Sequence, residues 1–243
     1  MLNDIKPIEL GKRSAAAKAV EYVKTGMILG LGTGSTASYF VDLLSERIVR
    51  EGLEVLCVPT SKITRDKADS LKIPLTSLEN VSSIDLVVDG ADEFDHNLNM
   101  IKGGGGALLQ EKIVAAASKR MVVITDSSKE SINLGSFDLP VEIIKFGAKL
   151  TKNRIEKTLE NVGYQDIVIR YRQNENNEKY VTDEGHLIVD LALKKIKDAE
   201  RLQSQLKKCV GVVETGLFIG MANNIIVGNS DGSCKLITDS NNR

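Results

Sequence analysis

Tryptophan is absent from this chain, and only five phenylalanines and five tyrosines occur among its 243 residues. So few aromatic rings leave no stacking platform for the bases of a single strand. Charge of one sign is also missing in any quantity. Thirty-two basic side chains face 33 acidic ones, for a formal charge of -1, and no basic block is available to neutralise the phosphates of a duplex. Cysteine is scarce. Cys57, Cys209 and Cys234 are odd in number and scattered, with no CxxC spacing, which argues against a disulfide framework and a zinc site. No apolar run approaches the roughly 20 residues that span a bilayer. The opening segment MLNDIKPIELGKR lacks the apolar core of a signal peptide. These absences predict a reduced, soluble, cytoplasmic protein with neither nucleic acid nor membrane as partner. A small phosphorylated ligand stays open. The two histidines, His96 and His186, fall in polar stretches and read as ordinary loop or turn residues, with no metal implied.

What is present is a rhythm. Residues 8–24 read as an Ala-rich helix. A short apolar run, Met27–Leu31, precedes GTGST (Gly32–Thr36), and Ala37–Arg50 then carries Phe40, Leu43, Leu44 and Ile48 at helical spacing. Leu53–Val58 ends in Pro59-Thr60-Ser61 and leads into a charged helix, Lys62–Leu71. Ile84–Val88 ends in DGAD, and Arg120–Thr125 ends in DSSK (Asp126–Lys129). Four times an apolar strand ends in a polar cluster before the chain continues. Strands this apolar between helices predict an α/β fold with a mostly parallel sheet covered on both faces. Ligands of such sheets bind outside the carboxyl ends of the strands, where all four clusters fall.

After about residue 136 the rhythm changes. Val141–Phe146 reads as a strand, Asn153–Asn161 as a helix, Asp166–Tyr171 as a strand, and Tyr180–Leu191 as strand-like around the turn Asp183-Glu184-Gly185. Ala199–Lys208 reads as a helix and Val210–Phe218 as a strand. The order βαββαβ predicts a smaller ferredoxin-like α+β domain over 137–212, with 1–136 plus 213–243 forming the catalytic domain. The polar run Arg172–Lys179 (RQNENNEK) reads as a surface connection, and Asn224–Gly228 as a strand returning to the first sheet.

The richest chemistry lies between Asp85 and Ala117. Asp89 and Asp92 end an apolar run, and close carboxylates can hold or relay a proton; an Asp turn that merely caps the next segment is the plainer reading. Lys102 precedes four glycines, Gly103 to Gly106. Ordering consecutive glycines is costly, which a close backbone approach to a ligand would explain, and bare N–H groups can stabilise an oxyanion. Glu111 follows on an apolar helix whose neighbours one turn away are Ala107, Leu108, Val114 and Ala115, none able to pair with a carboxylate. Burial there would raise its pKa and suit a general base; a solvated Glu is the alternative. In GTGST, Gly32 and Gly34 allow tight turns, and Ser35 and Thr36 open a helix whose dipole favours an anion. Simple helix capping competes with that reading. Lys129 either meets a phosphate or is a surface lysine.

Taken together, GLGTGST, VDGADE, MIKGGGGAL followed by QEKI, ITDSSK with LPVEI, VTDEG and GVVETGLF closely resemble ribose-5-phosphate isomerases of type A, over nearly the whole chain. At Gly106 some members carry Ala and others Gly. The resemblance implies a Rossmann-like, mostly parallel sheet flanked by helices, with a smaller ferredoxin-like lid domain. It implies an aldose–ketose isomerase of the non-oxidative pentose phosphate pathway that interconverts D-ribose 5-phosphate and D-ribulose 5-phosphate through a cis-enediol, with no metal or other cofactor. Glu111 matches the base, Asp89 the carboxylate assisting ring opening and hydroxyl proton transfer, and Asp92 with Lys102 the polar pair completing the site. Lys12, Thr33, Gly34, Ser35, Thr36 and Lys129 match substrate- and phosphate-binding positions, alongside Asp89, Gly90, Ala91, Asp92, Lys102 and Gly103–Gly105. The resemblance also implies a homo-oligomer, a dimer or a tetramer. Two other readings stay open at this point: an isomerase-deaminase or lactonase of related fold acting on another sugar phosphate, and a non-enzymatic sugar-phosphate sensor.

Overall fold

The computed structural model describes residues 6–238. Two compact units divide them. One runs through Ala91, resumes over Gln110–Glu130 and resumes again from Gly220; the other comprises Asp92–Leu109 and Ser131–Ile219. The expected lid range 137–212 lies inside the second unit, which also takes in the DGADE–glycine segment from Asp92 and residues 213–219.

In the first unit, α1 (Pro7–Val20) begins with proline at its first position, where a missing N–H costs nothing. The chain continues through β1 (Ile28–Leu31), α2 (Ser35–Glu51), β2 (Leu56–Pro59), α3 (Lys62–Ser70) and β3 (Leu86–Asp89). α2 ends on Gly52 in the left-handed region, φ 64°, a routine glycine stop. α3 starts at Ser61, whose side chain accepts the Thr64 N–H. Two short strands of the second unit follow, β4 (Glu93–Phe94) and β5 (Met100–Ile101), before the chain reaches α4 (Leu108–Ala116) and, back in the first unit, β6 (Met121–Asp126).

The second unit continues with β7 (Leu139–Ile143), α5 (Ala148–Asn161), β8 (Ile169–Tyr171), β9 (Leu187–Leu191), α6 (Ala199–Lys207), β10 (Val212–Thr215) and β11 (Leu217–Phe218). The chain closes with β12 (Asn224–Gly228) and β13 (Cys234–Thr238) in the first unit.

The first unit's sheet has the order β2-β1-β3-β6-β12-β13. Its first five strands are parallel, and β13 pairs antiparallel at the edge. Every residue of β3, β6 and β12 is buried, as a sheet covered on both faces requires. One face packs Leu29 and Leu31 against Ala15, Ala16, Ala19, Phe40 and Leu44 of α1 and α2. The other meets α4 at Gly30, where a Cβ would lie 2.7 Å from Val114. The chain leaves β1 for β2 on one side and returns to β3 on the other. The topological switch point therefore falls between β1 and β3, and the crevice at their carboxyl ends is the expected ligand position. The Rossmann-like expectation is met. β13 lacks an apolar signal because four of its five residues are exposed.

In the second unit β10-β7-β9-β8 form an antiparallel sheet. Element order and strand order together make the ferredoxin-like arrangement anticipated from βαββαβ. Its core joins Leu139, Val141, Val189 and Leu191 to Ile155, Leu159, Leu202 and Leu206 of α5 and α6. The expected single strand Val210–Phe218 is broken in two. At Gly216 the chain passes from β10 to β11, which joins β5 and β4 in a separate three-stranded sheet. Gly216 donates to the Pro140 carbonyl at 2.8 Å and accepts the Lys102 N–H at 2.9 Å. A side chain there would overlap the Lys102 carbonyl. β4 and β5 were invisible in sequence because two residues are too few to show a period.

Candidate active site

At the switch point, Asp89 is the last residue of β3 and is fully buried. Its Oδ1 accepts the Thr33 N–H at 3.0 Å and the Gly90 N–H at 2.7 Å. Gly32 has no room for a side chain, because a Cβ would overlap the Asp89 carboxylate. The glycine in GLGTGST thus lets one carboxylate reach the end of the neighbouring strand.

The hydroxyl of Thr33 turns toward β2 and α3. It lies 2.8 Å from the Thr60 and Ser61 hydroxyls and 3.2 Å from that of Thr64. Thr60 and Thr64 in turn donate to the carbonyls of Leu31 and Gly32, each at 3.0 Å. This hydroxyl cluster holds the GTGST backbone from below and explains the polar residues after β2. Gly34 is the N-cap of α2 at φ 116° and ψ 175°, a conformation that suits glycine. Having no side chain, it supplies no capping acceptor to the first N–H groups of α2, and the dipole at a helix N-terminus favours an anion. Ser35 is exposed at this end, whereas Thr36 is 9% exposed.

Two lysines belong to the same unit. Lys129 closes a single 3-10 turn, Ser127–Lys129, that Asp126 caps by accepting the Ser128 N–H at 2.9 Å. It is half-buried just beyond the carboxyl end of β6. Lys12 lies on α1 and pairs with Glu9 at 2.8 Å, and Tyr39 of α2 donates to the other Glu9 oxygen at 3.0 Å. The Lys12 hydrogen bond holds the Glu9 carboxyl below its usual range.

Glu111 lies in the first turn of α4 and is 4% exposed. Its helical neighbours Ala107, Leu108, Val114 and Ala115 are all buried, as the apolar pattern predicted. A carboxylate in the first turn is favoured by the helix dipole.

Ala91 ends the first stretch of the first unit, and the remaining predicted residues, Asp92, Lys102 and Gly103–Gly105, lie in the second. Lys102 is 2% exposed, its ammonium 5.4 Å from the centroid of the Phe218 ring, a cation–π distance. Gly103 to Gly106 form a turn closed by Gly106 N–H donating to the Gly103 carbonyl at 3.0 Å, with positive φ at both ends. Asp92 accepts the Gly104 N–H at 2.7 Å. A Cβ at Gly103 would press on Leu108, one at Gly104 on Asp92, and one at Gly106 on Tyr180. This glycine run is an ordered turn. The adjoining Glu93 is 4% exposed and accepts N–H groups from Gly135, Ser136 and Phe137 at 2.8 to 3.2 Å.

The run Arg172–Lys179 corrects the surface reading at its first residue. The Arg172 side chain is 14% exposed. It donates to the carbonyls of Gly103 and Gly104 and is gripped by Asp190. Tyr180 adds a bond to the Gly105 carbonyl at 3.4 Å. Nothing local marks these residues, since their partners are far along the chain. His186 is likewise more than a turn residue: its Nδ1 lies 2.9 Å from Oε1 of the buried Glu142. Among the described residues, no group of three or more His, Cys, Asp and Glu is placed to hold a metal ion, and no helix is long and apolar enough to cross a membrane.

Residues 56–232 match the family model of ribose 5-phosphate isomerase A, phosphoriboisomerase A. The ribose-5-phosphate isomerase A of Dinoroseobacter shibae is 50% identical over 238 residues, covering 97% of this chain and 90% of that one. The ribose 5-phosphate isomerase of Plasmodium falciparum superposes with a TM-score of 0.88 at 38% identity, covering 95% and 98% of the two chains. A D-ribose-5-phosphate isomerase in complex with phospho-erythronic acid gives 0.87 at 34% identity, over 95% and 99%. The chain belongs to the ribose 5-phosphate isomerase A family, the enzymes that interconvert ribose 5-phosphate and ribulose 5-phosphate.

Proposed function

We propose that Glu111 is the general base of this isomerisation, working on the open-chain sugar. It takes the proton from C2 of the aldose while the electron pair moves onto the C1 carbonyl oxygen, giving a cis-enediolate. The same proton is returned to C1, the O2 hydroxyl gives up its proton, and that proton ends on O1, which leaves the ketose. Asp89 assists ring opening and carries the hydroxyl proton between O2 and O1. Lys102 and the amides of Gly103 and Gly105 stabilise the enediolate, while Asp92 accepts the Gly104 N–H, steadies the glycine turn and completes the polar pair with Lys102. The N-terminus of α2, from Gly34 to Thr36, holds the phosphate together with Lys129 and Lys12, while Thr33 fixes the backbone that presents it. Gly90 and Ala91 line the substrate beside Asp89. The reaction needs no metal and no organic cofactor.

One observation carries this reading: Asp89, Lys102 and Glu111 are at most 4% exposed. Keeping three ionisable groups from water is costly, and a proton transfer beside a carbonyl uses all three. Phospho-erythronic acid, held by a related isomerase, fits the same chemistry, since its carboxylate offers two oxygens in the geometry of an enediolate. The enzyme acts in the cytoplasm, in keeping with three free cysteines, and as a homo-oligomer, a dimer or a tetramer. Exposed Phe146, Leu150 and Val210 are apolar surface that such an assembly would cover.

A coupled assay of ribose 5-phosphate conversion on Glu111→Gln, read beside ligand affinity, tests the assignment. Turnover lost with binding retained supports it, and normal turnover removes Glu111 from the mechanism.

A further inference from the structure

We infer that Arg172, locked by Asp190, is a positioning residue that orients the glycine turn for enediolate stabilisation. The inference rests on the reading above, in which the Gly103 and Gly105 amides face the developing charge while the Gly104 N–H is held by Asp92.

The geometry lies wholly within the second unit. Asp190 on β9 grips the guanidinium with both oxygens, Nε to Oδ2 at 3.0 Å and Nη2 to Oδ1 at 2.5 Å. The two side chains are 14% and 18% exposed. The remaining edge of the fork, Nη1, donates to the Gly103 carbonyl at 2.5 Å and the Gly104 carbonyl at 3.1 Å. A trans peptide points its C=O and N–H in opposite directions. Holding the Gly103 carbonyl therefore aims the Gly104 N–H away from Arg172, and that N–H meets Asp92 at 2.7 Å. Holding the Gly104 carbonyl aims the Gly105 N–H away in the same manner. Tyr180 holds the next carbonyl, that of Gly105, at 3.4 Å.

One cation thus sets two consecutive peptide planes within a run of four glycines. A positive charge on the carbonyl side also draws electron density from each peptide, which makes its N–H a stronger donor. A lysine could supply the charge but not the fork that engages a carboxylate and two carbonyls together. Glycines are required where Leu108, Asp92 and Tyr180 leave no space for a Cβ, so the turn cannot stiffen itself with side chains. Arg172 supplies the rigidity from outside.

The test compares Arg172→Ala, Arg172→Lys and Asp190→Asn with the wild type. The readouts are kcat and KM for ribose 5-phosphate, inhibition by phospho-erythronic acid and by inorganic phosphate, and melting temperature. For Arg172→Ala we expect kcat to fall about 10- to 100-fold, the scale of a misaligned oxyanion donor, with KM changed less than about 3-fold. Inhibition by phospho-erythronic acid should weaken in step with kcat, and inhibition by inorganic phosphate should hold. Added guanidinium should restore part of the lost turnover. Arg172→Lys and Asp190→Asn should fall between the two extremes. A kcat within about 2-fold of wild type in a folded Arg172→Ala overturns the inference, as does equal loss of both inhibitors. If Arg172→Ala fails to fold, Arg172→Lys is judged by the same criteria, and failure of both to fold makes the residue structural and overturns the proposal. Glu111→Gln separates the two readings. Normal turnover in that variant removes the mechanism itself, whereas lost turnover there with normal kcat in Arg172→Ala removes only the positioning role.

Discussion

Thr33 donates its backbone N–H to Oδ1 of Asp89 at 3.0 Å, joining the second residue after β1 to the last residue of β3. The two strands are the neighbours between which the sheet reverses its order. That hydrogen bond connects the turn proposed to hold the phosphate to the carboxylate proposed to assist ring opening, at the place where such folds bind ligands.

Gly32→Ala should break that connection. Its Cβ would overlap the Asp89 carboxylate and lie 2.5 Å from the Asp89 Cα, which is backbone and cannot swing away. Overpacking of this kind costs about 1–3 kcal/mol. A lower melting temperature together with a kcat reduced at least about 10-fold is expected. A variant matching wild type in both would mean that the strand ends shift apart freely.

Ser35→Ala and Lys129→Ala should raise KM more than they lower kcat, because a phosphate contact persists from ground state to transition state. Charge-assisted contacts of this kind are worth roughly 1.5–3 kcal/mol each. Steady-state kinetics on ribose 5-phosphate checks this, and an unchanged KM in both variants would place the phosphate elsewhere.

Glu111→Gln keeps the size of the side chain and removes the base. A fall in kcat of at least about 100-fold is expected. The fold should persist, since an amide is easier to bury than a carboxylate. If activity is lost only because the variant melts, the role of Glu111 is structural.

Glu142 gives a pH dependence to stability. It is 1% exposed and accepts from Thr182 and His186, both at 2.9 Å. Burial is the largest influence and raises its pKa from the ordinary 4.5, with the two hydrogen bonds opposing. The native state then keeps a proton that the unfolded chain releases. The stability so gained is complete below 4.5 and is lost as pH climbs through the window above that value. Glu142→Gln removes this window. Wild type minus variant melting temperature should be most favourable to wild type in acid and shrink as pH rises above 4.5. A difference that stays constant with pH would show that Glu142 is ionised in both states.

Exhaustive treatment with EDTA should leave turnover unchanged, given a sequence without metal-ligand spacing. Activity that vanishes with chelator and returns with a divalent ion would end the metal-free mechanism.

The sequence by itself determined the parts that depend on neighbours along the chain. Apolar strands ending in GTGST, DGADE and DSSK placed the polar clusters at strand ends, because hydrophobic period and turn residues are local properties. Glu111 on an apolar helix face was legible for the same reason, with Ala107, Leu108, Val114 and Ala115 all buried beside it. The tertiary structure alone decided how those parts are held. Arg172 reaches Gly103 across 69 residues of chain and Asp190 across 18, and Thr33 finds the hydroxyls of Thr60, Ser61 and Thr64 across 27 to 31. Such pairs are chosen by strand order and register, which arise only when the sheets assemble. A polar run like RQNENNEK carries no mark of the one residue in it that turns inward.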